Sequence, residues 1–154
     1  MGIKVHFLLF VGLTLGRNPY FCLFINGFTM PFFDNLFTIA SMDDTESGFT
    51  ARLRCNPSHP VYQAHFPGNP ITPGACLVQT ACDVLQKKLG RPLSLKASKS
   101  IKFLNQLVPA EGREVSLNYS HLERTETECK TQVVIADEST VFSKMSLTFS
   151  YESL

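Results

Sequence analysis

Between Gly48 and Cys55 apolar and polar residues alternate, with Phe49, Ala51, Leu53 and Cys55 on one side and Thr50, Arg52 and Arg54 on the other. A period of two predicts a half-buried β-strand. The same period returns in Leu95–Leu104, Val115–His121, Cys129–Ala136 and Val141–Tyr151, and Asp137-Glu138-Ser139 supplies a hairpin turn between the last two. One segment follows a different rule. Leu77, Val78, Ala81, Cys82, Val84, Leu85 and Leu89 cover most of the circumference of a helix, as in a helix buried on nearly all sides. Thr72 is its expected cap and Pro73 its first residue, since a proline loses no hydrogen bond there. Lys87 and Lys88 suit the negative C-terminal end, Gly90 suits a left-handed cap, and Pro92 blocks continuation. Pro57, Pro60, Pro67 and Pro70, with Gly68, predict an ordered loop or extended segment between strand and helix. One strand, one long helix and four strands define an α+β chain: an antiparallel sheet wrapped around one long central helix.

Composition narrows the class. The chain has 154 residues, 44% hydrophobic and 18% charged, enough for one packed domain. A net charge of +1 argues against a nucleic-acid partner held through phosphates. The five cysteines are odd in number and form no CxxC pair, and with four histidines no metal cluster is expected. Reduced thiols and a cytoplasmic location are the expectation. Residues 1–29 differ from the rest, with Lys4 and Arg17 as their only charges. Val5 to Gly16 is apolar like the core of a signal peptide, but no small-residue cleavage site follows. The run is also shorter than the roughly 20 residues of a membrane span. Three readings stand: upstream sequence read in frame ahead of a start at Met30, an accessory segment, or an export signal. The domain itself is expected over 30–154.

The chemistry concentrates in His65-Phe66-Pro67-Gly68-Asn69-Pro70-Ile71-Thr72-Pro73-Gly74. An imidazole stands nine residues ahead of a glycine at a helix N-terminus, where backbone N–H groups lack helical partners and the helix dipole is positive. Such donors stabilise charge on a carbonyl oxygen, and a glycine lets a ligand approach closely. A histidine nearby suits removal of a proton beside a thioester carbonyl.

The stretch resembles the HFPGxPxxPG signature of the FabZ- and FabA-type 3-hydroxyacyl-acyl-carrier-protein dehydratases. The ten residues match closely, and the helix and strands that follow match the family's layout, including Phe103-Leu104 leading towards Pro109. The resemblance implies a hot-dog fold, assembly as a homodimer or a higher assembly of dimers, and acyl thioesters carried on the phosphopantetheine of acyl carrier protein. It implies no cofactor beyond that arm and no metal. It implies His65 as the base and the Gly74 N–H as the carbonyl donor, with Phe66, Pro67, Gly68 and Pro73 shaping the substrate site.

The chain then departs from the pattern. Fourteen residues after the histidine the family places a Glu or Asp that acts as the acid, and here that residue is Gln79. An amide donates a hydrogen bond but delivers no carboxyl proton. Asp83 lies one turn further on the same helical face, where the family has a glutamine, so carboxylate and amide look exchanged. Asp83 is therefore the candidate acid, directly or through a water held by Gln79, against a purely structural hydrogen bond. Two further readings remain: a non-catalytic acyl-thioester-binding subunit pairing with a catalytic homologue, and a thioesterase with Cys76 activated at the helix start.

Lys87, Lys88, Arg91, Lys96, Lys99 and Lys102 fall between Val84 and Ala110 with no acidic residue among them. They are the candidate dock for an acidic carrier protein, against a plain solvated face. His59 is expected to hold a turn and His121 to end a strand, with neither at metal-ligand spacing. Phe32, Phe33 and Phe37 are expected to pack across the sheet or a dimer contact, or to line the acyl tunnel.

Overall fold

The structure, a computed structural model, describes residues 35–64 and 68–152. The boundary at Met30, the apolar run Val5–Gly16 and the Phe32-Phe33 pair lie outside the described residues. The elements are β1 (Phe37–Asp44), β2 (Phe49–Cys55), α1 (Val61–Ala64), α2 (Gly74–Leu89), β3 (Leu93–Phe103), β4 (Glu114–Arg124), β5 (Glu128–Ala136) and β6 (Val141–Tyr151).

The strands form one antiparallel sheet in the order β1-β2-β4-β5-β6-β3. Since every neighbour is antiparallel, β2 and β3 run in the same direction, and α2 carries the chain across the sheet face between them. This is the hot-dog arrangement expected.

The sheet holds six strands where the alternation predicts five. The missed strand, β1, has a register shift between Ile39 and Ser41. Phe37 and Ile39 pack on the core ahead of the shift and Met42 after it. The inward face thus moves from odd to even positions, which hides a period of two. β3 starts at Leu93, two residues earlier than predicted, and carries two such shifts, between Leu95 and Ala97 and between Ser98 and Ser100.

The helix lies on the inward faces of the strands. Leu77, Val78, Ala81 and Leu85 are buried against Phe49 and Leu53 of β2, Leu117 and Tyr119 of β4, and Leu147 and Phe149 of β6. Each such Leu or Val, fully buried, contributes about 1.5–3 kcal/mol. Tyr119 adds direction: its ring stacks on Phe49 at 4.2 Å and its hydroxyl donates to the Ala81 carbonyl at 2.7 Å. At the far end Lys88 pairs with Asp44 at 2.6 Å, tying α2 to the end of β1.

The helix ends correct one expectation and match the other. Thr72 does not cap. Its Oγ1 sits 2.9 Å from the Tyr62 hydroxyl, and its N–H donates to the Leu107 carbonyl at 2.8 Å. Pro73 takes the capping position in an extended conformation without a side-chain bond, and Gly74 opens the helix. Gly90 adopts the left-handed conformation (φ 66°) and its N–H donates to Gln86 at 2.8 Å. The segment from Asn56 to Pro73 is not wholly loop. Val61–Ala64 makes one helical turn, entered through Pro60, whose fixed φ is already helical, and His59 Nδ1 accepts from the Val61 N–H at 3.0 Å.

Candidate active site

The chain approaches the site through α1, whose Tyr62 precedes His65 by three residues. His65, Phe66 and Pro67 themselves lie outside the described residues. Gly68 follows at φ 81°, a left-handed backbone that favours glycine. Pro70 to Pro73 then leads into α2. The Tyr62–Thr72 and Thr72–Leu107 bonds join the residues before His65, the lead-in to α2 and the segment after β3. Burial pushes the Tyr62 hydroxyl up to about 12, so it stays neutral and able to donate.

At the start of α2 the first carbonyl, that of Pro73, accepts from Cys76 at 3.0 Å and Leu77 at 3.2 Å. The Gly74 and Ala75 N–H groups stand in the first turn, where a helix offers no acceptor of its own. A Cβ on Gly74 would lie 2.6 Å from Phe103 Cζ, so any larger residue there requires the ring to shift.

Gln79 lies five residues along the helix, about 7.5 Å by rise. Its amide donates to Asp83 Oδ1 at 2.7 Å, and the Gln86 amide approaches the same oxygen at 3.4 Å. Gln86 Oε1 in turn accepts from the Leu93 N–H at 2.8 Å, anchoring the string to the start of β3. Both amides converge on Oδ1, which orients the carboxyl group. Asp83 also borders a cleft of about 950 Å³ that runs between the outward face of α2 and β1, with Thr80, Val84, Phe37 and Ile39 on its walls. Of the expected site residues, the structure brings Gln79 and Asp83 into contact and places Pro73 and Gly74 at the head of the same helix.

Cys76 and the basic residues have definite surroundings. Cys76 is buried, and burial raises its thiol far above the ordinary range, which removes the thiolate a nucleophile requires. The basic residues do not form one free surface. Lys88 pairs with Asp44, Lys96 with Glu128, and the Arg91 guanidinium lies 3.9 Å over the Tyr151 ring. Lys87, Lys99 and Lys102 are exposed, and Lys87 and Arg91 border the cleft. His121 is exposed at the surface of β4. Among the described residues no helix is long and apolar enough to cross a membrane.

Three contacts are not legible from the candidate site residues alone: Gln86 on Asp83, Tyr62 on Thr72, and Phe103 over Gly74. Gln86 had a signal, since it follows Asp83 by three residues on one helical face. The others join residues distant in sequence.

A six-stranded antiparallel sheet around one long helix defines a hot-dog protein, here with a glycine at the helix head and a carboxylate–amide couple along the helix. Residues 41–145 match the sequence model of the ApeI-like family, described as ApeI dehydratase. The chain belongs to that family. It is 39% identical over 61 residues to the 3-hydroxyacyl-[acyl-carrier-protein] dehydratase FabZ of Acetivibrio thermocellus, covering 35% of this chain and 42% of that protein. The chain thus spans less than half the length of that relative. The corresponding FabZ of Alkaliphilus metalliredigens is 26% identical over 100 residues, covering 60% and 67%. Among solved structures, the dehydratase heterocomplex ApeI:P from Xenorhabdus doucetiae superposes with a TM-score of 0.58 at 16% identity, covering 73% of this chain and 96% of that one. A thioesterase from Haemophilus influenzae superposes at 0.53 with 13% identity, covering 79% and 82%. At these identities the structures share the fold.

Proposed function

We propose that the protein removes water from 3-hydroxyacyl thioesters carried on the phosphopantetheine of an acyl carrier protein, in fatty-acid or related lipid biosynthesis. The observation that carries this reading is the dehydratase-family match over residues 41–145, a span that holds Gly74, Gln79 and Asp83 on one helix.

In this reading His65 takes the proton from the carbon next to the carbonyl, and the Gly74 N–H holds the oxygen on which negative charge builds. The carbon–oxygen bond at the 3-position breaks as the double bond forms. Asp83 lies nine residues beyond Gly74, about 13.5 Å by rise, so the departing hydroxyl takes its proton from Asp83 through a water held by Gln79 and leaves as water. The His65 proton later returns to Asp83 through solvent. No metal or redox cofactor is needed for these steps. Lys87 and Arg91, at the cleft edge, are the members of the basic group best placed to meet an acidic carrier, while the exposed Lys99 and Lys102 lie further along β3. The working unit is a homodimer or an assembly of dimers, in the cytoplasm.

Gln79 favours a second reading, in which the chain binds acyl thioesters without turning them over and pairs with a catalytic homologue. The Xenorhabdus relative, a dehydratase heterocomplex by description, is consistent with such a pairing.

Hydration of an enoyl-carrier-protein substrate tests both. Activity in the natural protein, lowered about 10²- to 10⁴-fold in His65→Ala and in Asp83→Asn, is the expected result. Activity appearing only in Gln79→Glu would instead establish a silent subunit.

A further inference from the structure

We propose that Phe103 is the specificity-determining wall of the carbonyl site at Gly74, and that it excludes acyl groups branched at the carbon next to the carbonyl. The inference rests on the reading of Gly74 as a thioester-binding position.

A Cβ built on Gly74 would meet Phe103 Cζ at 2.6 Å and the two Cε atoms at 2.8 and 3.0 Å. The end of the ring therefore covers one side of the Gly74 Cα. A carbonyl oxygen accepting from the Gly74 N–H sits about 3 Å from that nitrogen. Its carbon substituents then come within contact range of the same ring. An unbranched chain has only hydrogens beside the carbonyl to set against it, whereas a 2-methyl group adds a carbon there.

The backbone that carries the ring is held on both sides. Phe103 closes the β3–β6 ladder opposite Ser143, and the next residue, Leu104, donates its N–H to Phe142 at 2.8 Å. On the other side the Thr72–Leu107 bond holds the helix lead-in to the segment after β3, where Leu107 is buried. Moving the ring off Gly74 by backbone motion would break this bonding. Yet Phe103 remains 41% exposed, and the described large apolar residues with this exposure, Phe103, Leu104 and Val108, all belong to this segment. An apolar surface held open beside backbone donors is what an arriving acyl thioester would meet.

The test compares crotonyl and 2-methylcrotonyl pantetheine as hydration substrates for the natural protein, Phe103→Leu and Phe103→Ala. Binding of butyryl and 2-methylbutyryl pantetheine analogues, with CH₂ replacing sulfur, is measured by calorimetry beside it. These analogues can be neither dehydrated nor hydrolysed at a thioester, so binding is read whether or not the protein turns substrate over. Unbranched over branched preference should fall about tenfold or more in Phe103→Ala, in kcat/KM and in Kd, with Phe103→Leu between. Circular dichroism and melting of each variant establish that it is folded. An unchanged preference in folded Phe103→Ala overturns the wall while leaving the dehydratase reading intact. Binding that follows residue 103 without any hydration supports the wall and overturns the catalytic reading. Absence of binding to every form overturns both.

Discussion

The side-chain amide of Gln79 donates a 2.7 Å hydrogen bond to Oδ1 of Asp83, one helical turn along α2. Because Gln86 approaches the same oxygen, the carboxylate orientation is fixed from both ends of the turn. Asp83→Asn removes the charge that both amides face and the proton that the proposed mechanism needs. We expect kcat to fall about 10²- to 10⁴-fold with a smaller change in KM, and unfolding stability to fall by about 1–2 kcal/mol for a half-buried charged acceptor. Steady-state kinetics and urea unfolding read the two effects. A stable Asp83→Asn with natural kcat would leave Asp83 no role in chemistry.

The Tyr62–Thr72 contact should behave as a coupled pair. Tyr62→Phe leaves the buried Thr72 hydroxyl without this partner, and Thr72→Val does the same to Tyr62; each change should cost about 1–3 kcal/mol. With both hydroxyls removed no orphan remains between them, so the double variant should lose clearly less than the sum. A double-mutant cycle by urea unfolding gives the coupling directly, expected at about 1 kcal/mol or more. Strict additivity would show that the hydroxyls do not interact.

How much of this was readable in the chain follows from the range of each interaction. β2, β4, β5 and β6 keep their alternation over most of their length, so the sequence period exposes them. β1 escapes because its register shift at Ala40 moves the buried face between Ile39 and Met42. The helix and its Gly90 cap are local features and were legible. The Thr72 cap was misread because the Tyr62 hydroxyl, ten residues away, competes for the same oxygen. Gln79 and Asp83 were legible as a pair because helical spacing alone brings them together. Phe103 over Gly74 was not, since β3 must first fold back along the sheet to deliver the ring.

Cys76 should be inert in the folded protein. Burial disfavours its thiolate, and the side chain packs with Leu36, Val61 and Tyr62. Treatment with an alkylating reagent followed by peptide mass analysis should leave Cys76 unmodified under native conditions and label it in urea. Cys76→Ala should retain whatever thioester turnover the protein has. Rapid native labelling with loss of turnover would restore the thiol as a nucleophile.

The acid limb of the stability curve should report the Asp137–Arg113 pair. Arg113 donates to Asp137 Oδ2 at 2.8 Å, and the Ser139 and Thr140 N–H groups donate to Oδ1 at 2.9 and 2.8 Å. The guanidinium first, and then the Ser139 N–H, lower the carboxyl from 3.8 to about 2. A carboxyl with a folded-state pKa below its unfolded value stabilises the fold above the unfolded value and loses that contribution as pH falls through the folded one. The window is therefore from about pH 4 down to about pH 2. Urea unfolding of the natural protein and of Asp137→Asn should differ most at neutral pH, and the difference should shrink across that window. A gap that stayed constant from pH 7 to pH 2 would mean that the loss came from the amide's poorer turn geometry. A shrinking gap assigns it to the charge, and so to the Arg113 link that joins the β5–β6 turn to the strand edge at β4.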